Sequence, residues 1–281
     1  MNSNLDQVAA YYERLTESYL RYGGQTLGWH FGLWDNPPGS FEDALINSNR
    51  ILTQGCDLHP GQLVLDAGCG AGGLAFYLAQ TFGVNVIGIN ICQLHVDMAK
   101  QFTEERGLNH LVEFRLLDLM NLDFKEESFD FVFNQESFCY VLNKEEYLRH
   151  VYDVLKPGGR WQAVDYYKNE KPLTEEQEEY HRADQHGWKI APLPSIQFIQ
   201  SALSRIGFQD IYQKDLSAMV YPTALIFIHK DTILKEKLNR TGLSQSLRET
   251  TFVENAAACS GYSQGLIEGA FSHHLLGGAK R

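Results

Sequence analysis

Apolar positions recur at two spacings along the chain, and the switch between them predicts its elements. Residues 5–22 and 40–56 carry apolar side chains at helical spacing. Short apolar runs follow at 63–67, 84–89, 111–117 and 129–134, with another at 160–166 after the turn Lys156-Pro157-Gly158-Gly159. Between them, 73–82, 94–106 and 144–155 read as helices. Strands alternating with helices predict an α/β fold, a doubly wound, mostly parallel sheet that binds ligands beyond the carboxyl ends of its strands. Residues 168–190 break the rhythm. They are charged and aromatic, with Glu175-Glu176-Gln177-Glu178-Glu179-Tyr180-His181-Arg182, and predict a helical insertion over the site. A helix at 194–206 and a strand at 207–215 resume the core, 222–270 read as mostly helical, and Phe271–Lys280 read as an edge strand, the seventh. The expected organisation is one domain: a helical cap (1–58), a ligand-binding core (59–166), a lid (167–192) and a segment completing the sheet (193–281).

The most specific segment is Val64-Leu65-Asp66-Ala67-Gly68-Cys69-Gly70-Ala71-Gly72-Gly73. An apolar strand ends in an acid, and a glycine cluster then leaves the backbone bare for a ligand. Gly68 to Gly73 satisfy the dinucleotide pattern G-x-G-x-x-G, which alone is weak. Asp66 would crowd a pyrophosphate but suits a cationic or amine-bearing ligand. The next strand ends in Asn90 rather than the acid that usually holds a ribose.

The chain has 281 residues, enough for a full α/β core with added helices, and a formal charge of −11 without a run of Lys or Arg. The basic footprint of a nucleic-acid groove is missing, so no nucleic-acid partner is expected. The five cysteines, at 56, 69, 92, 139 and 259, form no CxxC pair and read as reduced thiols of a cytoplasmic protein, with no metal site. No secretory signal opens the chain, and no stretch approaches the roughly 18–20 apolar residues of a membrane span. Residues 222–270 leave open a homodimer contact or the completion of a lid.

With these residues in view, the stretch from about 62 to 166 resembles the class I S-adenosylmethionine-dependent methyltransferases. The resemblance rests on the Asp66–Gly73 loop, Asn90, Asp118 after the third strand, Phe129-Asp130-Phe131-Val132-Phe133, and Leu155-Lys156-Pro157-Gly158-Gly159. It implies a Rossmann-like sheet and S-adenosylmethionine as cofactor, with contacts from Asp66, Gly68, Gly70, Asn90, Asp118, Leu119 and Asn134. The neutral Asn90 is similar to the sterol, terpenoid and cyclopropane-forming branch. There a Gln often stands five residues on; here it is His95. Gly28-Trp29-His30-Phe31-Gly32-Leu33-Trp34 resembles the aromatic entry segment of that branch, and Asn134-Gln135-Glu136-Ser137-Phe138-Cys139-Tyr140 resembles a stretch of prenyl diphosphate C-methyltransferases.

That resemblance implies methylation of an alkene carbon through a carbocation. Aromatic faces stabilise such a cation by about 0.5–2 kcal/mol each, and a carboxylate beside it takes up the proton. Glu136 is the expected carboxylate, with Tyr140 and His30 as further catalytic candidates. Trp29, Phe138, Tyr140, Tyr166 and Trp188 are the expected aromatic lining. Arg21, His30, His181, Arg182, His186 and Lys189 are candidate cations for a diphosphate, on which Mg2+ would ride. The alternative is an N- or O-methyltransferase of another small molecule, with His30 as base. Tyr11, Tyr12, Tyr19 and Tyr22 either cap the cofactor or simply pack the first helix, and His273 and His274 carry no evident role.

Overall fold

The computed structural model describes residues 3–35, 39–241 and 251–281. Two helices, α1 (Ser3–Gly23) and α2 (Phe41–Leu52), precede the sheet. Ser40 caps α2 by accepting from the Asp43 N–H while the Asp43 carboxylate accepts from the Ser40 N–H, satisfying two donors the helix leaves open. The parallel strands are β1 (Leu63–Ala67), β2 (Asn85–Asn90), β3 (Val112–Leu116), β4 (Phe129–Gln135) and β5 (Leu155–Lys168), joined through α3 (Gly73–Phe82), α4 (Gln93–Glu105) and α5 (Lys144–Val154). Then come α6 (Glu175–Trp188), α7 (Ile196–Ile206), β6 (Gln209–Asp215), α8 (Ser217–Thr241), α9 (Thr251–Ile267) and β7 (Phe271–Ala279). The seven strands lie in the order β3-β2-β1-β4-β5-β7-β6, and β7 runs antiparallel to both neighbours.

This is the expected doubly wound, mostly parallel seven-stranded α/β sheet, a Rossmann-like fold. β1 is central, hydrogen-bonded to β2 and β4, and its residues from Val64 to Ala67 are buried. Such a strand needs apolar residues on both faces, which is why it reads as a continuous run.

Three sequence expectations are corrected. β7 is not an edge strand: it lies between β5 and β6, and every residue but Ser272 is buried. β6 takes the edge, and its exposed Gln209, Asp210, Gln213, Lys214 and Asp215 suit it. Lys156–Gly159 do not separate α5 from β5 as a free turn. The Gly158 N–H donates to Lys280 O at 2.7 Å and the Lys280 N–H to Gly159 O at 2.8 Å, so the segment pairs with the chain's end. α8 starts at Ser217, five residues before Pro222; a proline near the start of a helix forfeits only a bond to its first turn. Residues 242–250 of the expected helical stretch lie outside the described residues.

The 168–190 segment forms α6, capped by a Thr174–Gln177 box. It packs on α9 so closely that a Cβ on Gly187 would lie 2.3 Å from Glu254 O.

Candidate functional site

Two cavities open beyond the carboxyl ends of the parallel strands and meet at one group of residues. The first is floored by strand ends and the loops that follow them: Asp66, Gly68, Cys69 and Gly70 at the end of β1, Asn90 and Ile91 at the end of β2, Asp118, Leu119 and Met120 after β3, and Glu136 and Ser137 after β4. Gly68 and Gly70 have φ of 94° and 53°, where side chains are strained. A Cβ on Gly68 would also strike Ser137 Cβ at 2.4 Å, so glycine there lets the β1 and β4 loops touch.

Asp66 is buried, and its Oδ2 has no hydrogen-bond partner among the described residues. Burial pushes its carboxyl up to about 7. An acid held this way has room for one strong partner, a cationic donor. Asn90 Oδ1 accepts from the Cys92 N–H at 2.9 Å, and its Nδ2 donates to Gly70 O at 3.4 Å, tying the end of β2 to the glycine loop. Asp118 Oδ1 accepts from the Met120 N–H at 2.9 Å.

His95 lines this cavity from α4, but its ring nitrogen is engaged. Thr16 Oγ1 donates to Tyr12 O at 2.8 Å, so it accepts from His95 Nε2–H at 3.0 Å. His95 thus ties α4 to α1, with its ring 4.6 Å from that of Trp29; burial lowers its pKa to about 4.

The second cavity encloses about 480 Å3 between α1, α6, α8, α9 and the 29–31 segment. Tyr12, Tyr19, Tyr22, Trp29, Phe31, Tyr140, Tyr166, Trp188, Phe227 and Phe252 make its wall largely aromatic, and Arg21, Lys230 and Lys237 bring cations to it. Asn255 of α9 knits three helices around it. Its Oδ1 accepts from the Tyr11 hydroxyl at 2.6 Å and from Trp188 Nε1 at 3.1 Å.

Tyr12, Trp29, His30, Glu136 and Tyr140 line both cavities. Glu136 has a φ of 48°, a strained value for a side-chain-bearing residue, and so turns out of β4 into the junction. Its Oε1 accepts from the Phe31 N–H at 2.8 Å and lies 3.4 Å from His273 Nε2. Burial, and next the Asp165 charge, raise its pKa well above the usual carboxylate value. His30 is neutral for the same reason: burial lowers it to about 4, and its Nδ1 lies 3.1 Å from Phe31 O. The Tyr12 and Tyr140 hydroxyls are 2.8 Å apart, and burial raises both pKa values, so both stay neutral phenols.

Several sequence candidates lie elsewhere. Asn134 is consumed in the core: its amide donates to Ala67 O and Ser137 Oγ, and its Oδ1 accepts from Tyr147 and Trp161. Phe138 is buried in a second hydrophobic core cluster, with its ring centroid 5.4 Å from that of Trp161 on β5. Of the lid cluster, Trp188 alone lines a cavity. His181 is buried with its ring 5.8 Å from that of Phe271, Arg182 is exposed, and His186 and Lys189 sit against Glu254. The cations that line the second cavity come from α1, with the expected Arg21, and from α8. Phe227, Lys230, Leu234 and Lys237 recur at helical spacing on one face of α8, a pattern present in the sequence.

No three His, Cys, Asp or Glu side chains gather into a metal site among the described residues, and no described helix is long and apolar enough to cross a membrane. All five cysteines are free.

Residues 65–162 match the family model of the methyltransferase domain. The sterol 24-C-methyltransferase of Pneumocystis carinii (strain B80) is 30% identical over 219 residues, covering 76% of this chain and 57% of that protein. The chain thus spans little more than half the length of this curated relative. Among solved structures, a geranyl diphosphate methyltransferase in complex with GPP and sinefungin superposes with a TM-score of 0.78 at 18% identity, covering 99% of this chain and all of that one. The cyclase SpnF superposes with a TM-score of 0.77 at 21% identity, covering 98% and 95%. At such identities the superpositions establish the fold, and the mixture of chemistries shows why the site must be argued by itself. The glycine loop, the strand-end polar residues and the family model agree: residues 65–162 form a methyltransferase domain of the class I S-adenosylmethionine-dependent type, in a chain similar in sequence to the sterol 24-C-methyltransferases.

Proposed function

We propose that the protein is an S-adenosylmethionine-dependent C-methyltransferase that methylates an alkene carbon of a prenyl diphosphate or a related terpenoid. The observation that carries this reading is Glu136, a buried carboxyl lining both the strand-end cavity and the aromatic one. The strand-end cavity fits the cofactor. Asp66 has an unpartnered oxygen for the ammonium, and Gly68 and Gly70 leave a bare backbone beside it. Asn90 is assigned to the ribose hydroxyls and Asp118 to the adenine amine. When bound, S-adenosylmethionine supplies a methyl group on a sulfonium sulfur.

The chain's own residues then have three tasks. The aromatic wall excludes water and stabilises the carbocation left on the substrate when its π bond takes the methyl group. Burial favours the protonated form of Glu136; positive charge entering beside it favours the carboxylate, the proton leaving to solvent as the cofactor binds. Glu136 then takes a proton from the carbon next to the cation, whose C–H electron pair restores an alkene. Arg21 and Lys230 hold the anionic end of the substrate, with any magnesium arriving on the phosphate oxygens. An aromatic cavity with Arg21, Lys230 and Lys237 at its wall, beside Asp231 and Glu136, suits an isoprenoid carrying a diphosphate better than a neutral sterol. Five free thiols fit a cytoplasmic setting.

The test is incubation with S-adenosylmethionine, magnesium and, in turn, isopentenyl, geranyl and farnesyl diphosphate, followed by mass spectrometry. A gain of roughly 14 Da on a diphosphate, absent with the matching alcohol, is the expected result. Equal methylation of the alcohol would remove the diphosphate from the proposal. Methylation of oxygen or nitrogen acceptors in its place would overturn the alkene chemistry.

A further inference from the structure

Behind Glu136 stands a pair of residues that the reading above leaves idle. His273 lies on β7 opposite Tyr166 of β5 and is fully buried. Its backbone is held on both sides: its N–H donates to Ser217 Oγ at 3.0 Å, and its carbonyl accepts from the Leu216 N–H at 2.7 Å. The ring therefore has a fixed origin. Its Nδ1 lies 3.1 Å from the Tyr262 hydroxyl, and its Nε2, without a hydrogen-bond partner, lies 3.4 Å from Glu136 Oε1.

The proton positions follow from these neighbours. Burial, and next the Glu136 charge, keep the Tyr262 phenol protonated, which leaves its O–H able to donate to Nδ1. An imidazole that accepts at Nδ1 and is neutral carries its hydrogen on Nε2. Burial is also what keeps the ring neutral, lowering His273 to about 3; His274 on β7 and His30 before α2 push the same way, and Asp215 at the end of β6 opposes them. Asp165 on β5 acts on Glu136, and Asp184 on α6 acts on Tyr262. Nε2 lies 3.4 Å from Oε1, the oxygen that already accepts from Phe31, in contact with it but without a hydrogen bond. The polar approaches to the carboxyl from the Phe31 N–H and from His273 Nε2 both fall on Oε1.

We propose that His273 is the positioning residue of the site: its Nε2–H, fixed by Tyr262, closes the 3.4 Å gap to Glu136 Oε1 as the carboxyl ionises, so that Oε2 faces the reacting carbon. This rests on the reading of Glu136 as the proton acceptor. In the step it serves, the C–H bond beside the cation breaks, its electron pair becomes the alkene, and the proton goes to Oε2. A donor bonded to Oε1 also favours the ionised carboxyl, so its loss shifts the acid limb of the kcat profile to higher pH.

The experiment compares His273→Leu, His273→Gln, Tyr262→Phe and Glu136→Gln with the parent, measuring kcat against pH, KM, cofactor affinity and Tm. His273→Leu is expected to lower kcat about 10- to 100-fold, the scale of losing one oriented donor, and to move the acid limb up by about one pH unit, with cofactor affinity unchanged. His273→Gln, whose amide N–H reaches the same oxygen, retains most of the rate. Tyr262→Phe moves the limb in the same direction by less. An unmoved limb in His273→Leu overturns the inference, whatever its rate, provided Glu136→Gln is inactive; if His273→Leu does not fold, Tyr262→Phe decides on the same criterion. A fully active Glu136→Gln instead overturns the reading of Glu136 and the inference with it.

Discussion

The two cavities that meet at Glu136 are built in opposite ways. The strand-end cavity takes its floor from short pieces of chain, each placed by the parallel strand that precedes it: Asp66 to Gly70, Asn90, Asp118 to Met120. The sheet fixes their positions, so local residue identity nearly fixes the site. The aromatic cavity has no such floor. Tyr19 of α1, Trp188 of α6, Phe227 of α8 and Phe252 of α9 come from segments far apart in the chain, and Asn255 binds α1 and α6 to α9. The difference teaches that the common part of the chemistry rests on strand ends, while selectivity rests on how helices happen to pack.

The strongest way to break that comparison is at the junction. Glu136→Gln is expected to lower turnover by about 10²–10⁴-fold, the usual share of a positioned acid–base group, while calorimetry finds cofactor affinity close to the parent's. A parallel loss of affinity would make Glu136 part of the cofactor cavity alone. Next, Asp66→Asn is expected to weaken cofactor binding about 10- to 100-fold, the scale of one charge-assisted hydrogen bond. Because the Asp66 carboxyl titrates near 7, the parent should also lose affinity from pH 8 to 6, and the variant should not. A flat parental profile would contradict the assignment of Asp66 to the ammonium.

On the aromatic side, removing two cations together, Arg21→Ala with Lys230→Ala, is expected to raise KM for a diphosphate about 3- to 30-fold. The effect should shrink in high salt and leave cofactor affinity alone. The smallest effect is on stability. Glu136 is raised in the fold, so its contribution is complete below the ordinary carboxylate range and is lost as pH rises through the folded value. Glu136→Gln should therefore lose less Tm than the parent as pH rises above the ordinary carboxylate range. His30 and His95 work in the opposite sense. Lowered to about 4, they contribute fully above 6.5, and that contribution is lost as pH falls toward 4.

The same contrast explains what could be read from the sequence. Asp66, Gly68, Gly70, Asn90, Asp118 and Leu119 were legible because a strand, an abrupt glycine turn and a helix are local patterns, and all six line the strand-end cavity. Asn134 shares that locality yet points into the core, because the alternation of a strand end decides which of two neighbours faces the site. Glu136, two residues further along, has left the strand. Phe138 and the His181–His186 cluster misled because composition says nothing about which face a helix presents. His273 was invisible for another reason: a strand taken for the sheet's edge offers no cause to expect a buried imidazole. The long antiparallel pairing of β7 with β5 carries it there, and no local pattern announces that pairing.

The central claim is that one buried carboxyl faces both the methyl donor and the acceptor. Difference infrared spectroscopy of the protein, with and without cofactor, reads it directly. The account predicts that S-adenosylmethionine abolishes a protonated-carboxyl band that Glu136→Gln lacks, whereas the uncharged sulfur of S-adenosylhomocysteine leaves it in place. A band that persists with S-adenosylmethionine bound would contradict the account.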